Sequence, residues 1–205
     1  LAQADRRERL LVEPFLDIVG AAWHPEPGQH TAFTLMGRQI PWWVVAAYIF
    51  YFGVLGTLNY LGFEKKITVR AVWLWFSVPM AVDIFMEEVM MHWDLYYYYG
   101  EQPLIAFIKF PLWWAAANSI GEFIGICLIV ALMPYLRGWK LALIPLVLPV
   151  ADSVGYAAVA MPSWIVINTP VAPWVTQLGG LMTLALTAAI VHGIALFMAC
   201  DSPLR

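Results

Sequence analysis

"AVWLWFSVPMAVDIFMEEVMMHWDLYYYYG", residues 71–100, decides how the chain is read. Its first part, 71–92, is apolar over the roughly 20 residues a helix needs to cross a bilayer. Yet it carries Asp83, Glu87 and Glu88, then a histidine, then four consecutive tyrosines. A carboxylate at the centre of a membrane costs at least ~2.5–3.5 kcal/mol, so acids inside a span call for a function. The whole composition agrees with a membrane reading. The 205 residues are 62% hydrophobic and 12% charged, and mean hydropathy is +0.72, whereas a soluble domain carries about 25% charged residues. Net charge is −3 with no basic patch, which argues against nucleic acid as a partner. Cys127 and Cys200 lie in or beside apolar runs and offer neither a disulfide framework nor a zinc spacing.

Working outward, five segments are long and apolar enough to span: 41–63, 71–92, 110–136, 141–161 and 177–199. The loops 64–70 ("EKKITVR") and 137–140 ("RGWK") hold Lys and Arg, whereas those around 93–103 and 162–176 hold almost none. The positive-inside rule therefore puts the basic loops and the C-terminus in the cytoplasm. Trp42, Trp43, Trp139, Trp164 and Trp174 fall near segment ends, as an aromatic belt requires. Arg6, Arg7 and Arg9 suggest a cytoplasmic start, which would make residues 10–40 cross the membrane. "LLVEPFLDIVGAAW" (10–23) is short for that and is followed by Gly- and Pro-rich sequence. Two readings fit: a short or kinked membrane helix leading into irregular backbone packed within protein, or a peripheral amphipathic helix with an outer loop. The expected fold is an all-α polytopic transmembrane bundle, five full spans plus a short or kinked N-terminal membrane helix, in one domain over 1–205. The opening "LAQADRRERLL" has no initiator Met and no secretory-signal order, as an internal portion of a longer protein would look.

The acids carry the chemical signal. Glu13 and Asp17 are four apart, as are Asp83 and Glu87, so each pair shares a helix face. Glu122 lies inside "NSIGEFIG" and Asp152 inside "PVADSVGY", both within apolar spans. Acids facing a shared, partly hydrated cavity can hydrogen-bond one another, and a protonated carboxylic acid is a proton donor. Lys109 and Arg38, near segment ends, are the available cations. Asp83, Glu87, Asp17, Glu122 and Asp152 are therefore the candidate catalytic groups, with Asp83 and Glu87 as the acid–base centre. Glu88, about 100° round the helix from Glu87, is read as structural. If the helix continues past 92, the tyrosines at 96–99 form the rim of the cavity. Glu13, Tyr96, Tyr98, Trp113, Trp114 and Asn118 are the candidate substrate-binding residues: aromatic faces stabilise cations and phenols donate hydrogen bonds. His24, His30, His92 and His192 are scattered, without HxxxH or HExxH spacing, so a di-iron oxygenase is rejected. No GxGxxG, P-loop or Ser-His-Asp order occurs. What remains is acid–base chemistry with no cofactor and no metal, or simple ligand binding.

Three stretches resemble the AveC-type spirocyclase family, the membrane enzymes of spiroketal polyketide biosynthesis and their relatives. "EPFLDIVGAAWHPEPGQHTAFTLMGRQIP" is similar to that family's acidic-Pro-Leu segment and Gly/Pro-rich lead into a helix. "DIFMEEVMMHWDLYYYYG" is similar to its Asp-x-x-x-Glu helix ending in Tyr-x-Tyr, and "IKFPLWWAAANS" to its Phe/Tyr-Pro element opening the next helix. The resemblance implies a membrane fold of eight or so helices and acid-catalysed cyclisation of a dihydroxy-ketone, in some members with dehydration. Three functional expectations follow. The first is a cofactor-free acid–base cyclase acting on a lipophilic polyketide or isoprenoid in a bacterial cytoplasmic membrane. The second is a transmembrane terpene cyclase or isomerase, and the third a non-enzymatic lipid- or pigment-binding membrane subunit. The implied partners are a lipophilic small molecule and membrane lipids.

Overall fold

The computed structural model describes residues 13–63, 67–106 and 109–199. Arg6, Arg7, Arg9, the loop residues 64–66 and Cys200 lie outside the described residues. Five long helices form a bundle, each long and apolar enough to cross a membrane. They are α2 (Trp42–Phe63), α3 (Val69–His92), α4 (Leu112–Leu132), α5 (Ile144–Ile167) and α6 (Pro173–Ala199). A short 3₁₀ turn, Gly138–Leu143, leads into α5. The third and fourth helices start later than the apolar runs suggested. Phe110–Pro111 is extended and cannot begin a helix, and the 3₁₀ turn occupies the start of the fourth run.

α4 is the central helix. Its apolar window is 61% buried inside the protein, against 22% for α2, α3 and α6 and 44% for α5. The outer helices accordingly turn most of their apolar residues outward. α4 and α5 cross closely because small residues meet there: a Cβ on Gly155 would lie 2.7 Å from the Cα of Gly121. Ser163 and Thr183 share a 2.8 Å hydrogen bond between α5 and α6. α2 is wound in two modes, with wide π turns over Ile49–Leu55 between α-helical ends. α3 begins at Thr68, whose side chain accepts from the Ala71 N–H at 3.1 Å.

The remaining described elements, a short helix and three strand pairs, gather at the end of the bundle where α2 starts and α3 stops. Residues Glu13–Val19 form a seven-residue helix, α1, with Pro14 in its first turn. Leu16 and Asp17 are buried, and Phe15 meets Trp164 edge-on at 6.3 Å. Gly20 follows because a Cβ there would enter the Trp114 ring. Ala22–Trp23 (β1) pairs antiparallel with Tyr97–Tyr98 (β4). Thr31–Leu35 (β2) and Arg38–Pro41 (β3) form a hairpin. Its two turn residues, Met36 at φ 53° and Gly37 at φ 75°, have the positive φ pair that suits the twist of a two-residue hairpin. Ile105–Ala106 (β5) and Phe110–Pro111 (β6) form a third short pair.

The helical bundle is as expected, with three short two-stranded antiparallel pairs capping one end among the described residues. Three expectations are corrected here. Residues 24–41 are not irregular backbone but mostly hairpin. The described residues 13–41 do not traverse the bundle: α1 covers only about 10 Å, and the stretch stays tied to one end through Asn168 to the Val19 carbonyl (2.7 Å) and Gln102 to the Gly20 carbonyl (3.1 Å). Nor do the tyrosines continue α3. That helix ends at His92, Asp94 takes φ 53°, and the chain turns into the β4 strand. Of the belt tryptophans, Trp42, Trp139 and Trp174 are exposed, whereas Trp164 is buried and Trp43 faces inward to bond Gln29 at 2.8 Å.

Candidate functional site

Beneath the capped end lies a cavity of ≈ 350 Å³. α1 brings Glu13 and Asp17 to it, and α3 brings Asp83 and Glu87. In each helix the i, i+4 spacing puts both carboxylates on one face. The strand crossing of β1 and β4 supplies Tyr96 and Tyr98, and α4 supplies Trp114 and Asn118. Thus eight residues singled out in the sequence come to one chamber: Glu13, Asp17, Asp83, Glu87, Tyr96, Tyr98, Trp114 and Asn118.

The others lie elsewhere. Trp113 is fully buried beside the chamber wall and donates to Gln102 Oε1 at 3.2 Å. Glu122 lies deeper between helices, where Asn59 of α2 donates to its Oε1 at 3.0 Å. Asp152 packs against the α4 backbone, close enough that a Cβ on Gly121 would strike its side chain. Neither acid lines the cavity. Glu88 turns away from the chamber and accepts from the backbone N–H groups of Lys109 (3.2 Å) and Phe110 (3.0 Å), which fixes the turn before β6. The two cations also stay outside. Lys109 bonds the Met91 carbonyl (3.0 Å) and pairs with Asp94 (3.2 Å), while Arg38 lies 4.8 Å over the Trp23 ring and donates to Tyr99 Oη at 2.7 Å.

The polar groups of the chamber have definite partners. Asn118 donates to Asp83 Oδ2 at 3.0 Å. Tyr48 donates its phenolic proton to Glu13 Oε2. His24 Nδ1 lies 3.4 Å from Asp17 Oδ2, both side chains buried. The His24 ring contacts those of Trp43 and Tyr96, 5.5 Å from each, and these two lie 5.7 Å apart, so the three rings form a cluster. Buried Glu87 Oε2 and Tyr96 Oη make no hydrogen bond within the described residues. Burial, reinforced by the charge of Asp17, pushes the Glu13 carboxyl up to about 7; the Tyr48 bond and His24 oppose this. At neutral pH Glu13 can therefore both give and take a proton. The Tyr98 phenol is pushed well above its ordinary value, first by burial and then by the charges of Glu87 and Asp83, so it remains a donor. No three His, Cys, Asp or Glu side chains among the described residues converge to hold a metal ion.

Reading the sequence alone missed Tyr48, Tyr51, His24 and Tyr156, which also line the cavity. Tyr48, Tyr51 and Asn59 recur at helical spacing along α2 and bond Glu13, Ser119 (3.1 Å) and Glu122. That spacing was a visible signal, hidden because tyrosines in an apolar run also read as packing. His24 had none: only the folding of β1 against β4 carries it to Asp17. The class these features define is a five-helix bundle with a capped, acid- and tyrosine-lined chamber. Compared with known proteins, the chain matches no family model, no curated relative and no solved structure at a significant level.

Proposed function

We propose that the protein is an integral membrane enzyme, a cofactor-free acid–base cyclase in a bacterial cytoplasmic membrane. Its substrate would be a lipophilic polyketide or isoprenoid, handled as the AveC-type spirocyclases handle theirs. One observation carries the reading: two pairs of carboxylates, Glu13 with Asp17 and Asp83 with Glu87, line a single chamber walled by aromatic rings. Spiroketal closure needs that combination. A carboxylic acid protonates the ketone oxygen while a carboxylate accepts the proton of the attacking hydroxyl, giving a hemiketal. Protonation of the hemiketal hydroxyl expels water and leaves an oxocarbenium ion. The second hydroxyl adds to that ion and gives its proton back to a carboxylate. Two C–O bonds form, one water leaves, and no electron is exchanged. Asp83 and Glu87 serve as the acid–base pair, Glu13 and Asp17 face them, and the rings of Tyr96, Tyr98 and Trp114 shield the cation.

The test is conversion of long-chain dihydroxy-ketones by the protein in lipid nanodiscs, with mass spectrometry reading the loss of one water. Asp83→Asn and Glu87→Gln should each lower turnover by about 10²–10⁴-fold, the usual worth of general acid–base help, with thermal stability retained. Full activity of both variants, or failure of both to fold, would remove these acids from the chemistry. Cyclisation of linear polyenes or their epoxides without change of mass, and no conversion of dihydroxy-ketones, would favour the terpene-cyclase alternative. Saturable binding without any product would favour the lipid- or pigment-binding subunit.

A further inference from the structure

The chamber is roofed on one side and open on another. Its roof, at the end where α2 starts, is closed by the β1–β4 pair and by side chains that stitch loops together. Gln29 donates to the Leu95 carbonyl at 2.5 Å and accepts from Trp43 at 2.8 Å, and Gln102 ties Gly20 to Tyr99, at 3.1 Å each. The wall between α2 and α3 is different. These helices are consecutive in the chain, yet α2 packs chiefly on α4 and only lightly on α3. Ala46 and Phe50 on α2 and Met86 on α3 line the chamber and are among the exposed residues, Phe50 by 43% and Met86 by 38%. A side chain that faces both a cavity and the outside marks its mouth. Phe50 lies in the π-wound part of α2, where helix faces are rotated relative to regular winding.

The level of this mouth decides what it opens to. Trp42 at the start of α2 and Trp93 just past the end of α3 are 60% and 69% exposed, placed as interfacial anchors are. At 1.5 Å per residue Phe50 lies roughly 12 Å below Trp42, and Met86 about 9 Å below His92. On the membrane part of the proposed function, on which this inference rests, that depth is hydrocarbon. Glu87 adjoins Met86 in sequence, and its buried Oε2 makes no hydrogen bond within the described residues; further in, the Tyr96 hydroxyl is likewise without one. Polar acceptors and donors thus wait behind an apolar mouth.

We infer that the chamber is loaded sideways from the bilayer through the slit between α2 and α3. It takes a membrane-dissolved amphiphile, a long apolar chain bearing a hydroxyl or carbonyl end that enters first and meets Glu87. The chemistry done inside is a separate matter.

The experiment uses the protein in liposomes with two photoactivatable probes. One is a long-chain alcohol carrying a diazirine beside its hydroxyl, the other a short-chain, water-soluble diazirine alcohol. Labelled residues are mapped by peptide mass spectrometry. The long-chain probe should label the outer face, such as Leu196 and Phe197 of α6, and also Glu87 or Tyr96 within the chamber. The short-chain probe should leave the chamber unlabelled. Ala46→Trp and, separately, Met86→Trp should bring chamber labelling to background without changing that on α6. Phe50→Ala, which removes an exposed ring and spares packing, should raise it. Outer labelling with an unlabelled chamber would overturn the portal while the membrane reading stands. Chamber labelling by the water-soluble probe would overturn it in favour of passage through the roof. An unlabelled α6 face would overturn the membrane reading and the portal together.

Discussion

Asp83, Glu87 and Glu88 show how far a single position on a helix separates fates. Asp83 and Glu87 share the face that borders the chamber, and Glu88, one residue on, is spent on the backbone N–H groups of Lys109 and Phe110. That division was legible from 3.6-residue periodicity. The state of Glu13 was not, because it depends on burial and on Tyr48 from another element. With its carboxyl at about 7 when folded and near its ordinary value of 4.5 when unfolded, the folded protein holds an extra proton between those values. Its contribution to stability is therefore full below about pH 4.5 and is lost as pH rises through about 7, by something on the order of 1–3 kcal/mol. Thermal unfolding in detergent should show this slope, and Glu13→Gln should flatten it. Tyr48→Phe deletes a donor that favours the ionised carboxylate, so the midpoint of the slope should move upward in pH. A midpoint unmoved by Tyr48→Phe would show that this hydrogen bond does not act on Glu13.

Among the elements, the α4–α5 crossing is the most constrained. A Cβ at Gly121 would lie 2.9 Å from the Asp152 Cα, and one at Gly155 2.7 Å from the Gly121 Cα, so backbone as well as the Asp152 side chain would have to yield. Gly121→Ala and Gly155→Ala should each cost about 1–3 kcal/mol in unfolding measurements, the range for overpacking a tight site. Gly193 on α6 meets nothing within 4 Å of such a Cβ, and Gly193→Ala should be neutral or slightly stabilising through helix propensity. Equal losses at all three positions would mean that the crossing is not the cause. Asp152 owes its place to this contact, which is why an acid that looked like a member of the site in sequence packs against helix backbone instead. The β2–β3 hairpin escaped notice for a related reason. Its turn is Met36–Gly37, lacking the Asn-Gly or Asp-Gly signature of such turns, and its strands are too short and mixed for a clean alternation.

At the scale of the whole molecule, the short strands, α1 and the tyrosine segment all gather at one end, and the basic turn around Arg137–Lys140 lies at the other. By the positive-inside rule, the Lys/Arg asymmetry predicts that the capped end faces away from the cytoplasm. An impermeant maleimide applied to intact cells should label Glu101→Cys at the capped end and leave Trp139→Cys unlabelled. The opposite pattern would reverse the orientation. Within this frame, the number of long helices and their approximate limits followed from hydrophobic length alone, because a span is a local property of some twenty residues. The pairing of acids on α1 and α3 followed from helical periodicity, which is local as well. Which acids meet was decided only by tertiary structure. Glu13 and Asp17 reach the chamber because β1 pairs with β4 and holds α1 over the bundle, whereas Glu122 and Asp152 are kept from it by helix contacts with α2 and α4. Such contacts join residues far apart in the chain, and their geometry depends on side-chain shape at each crossing, which no local pattern encodes.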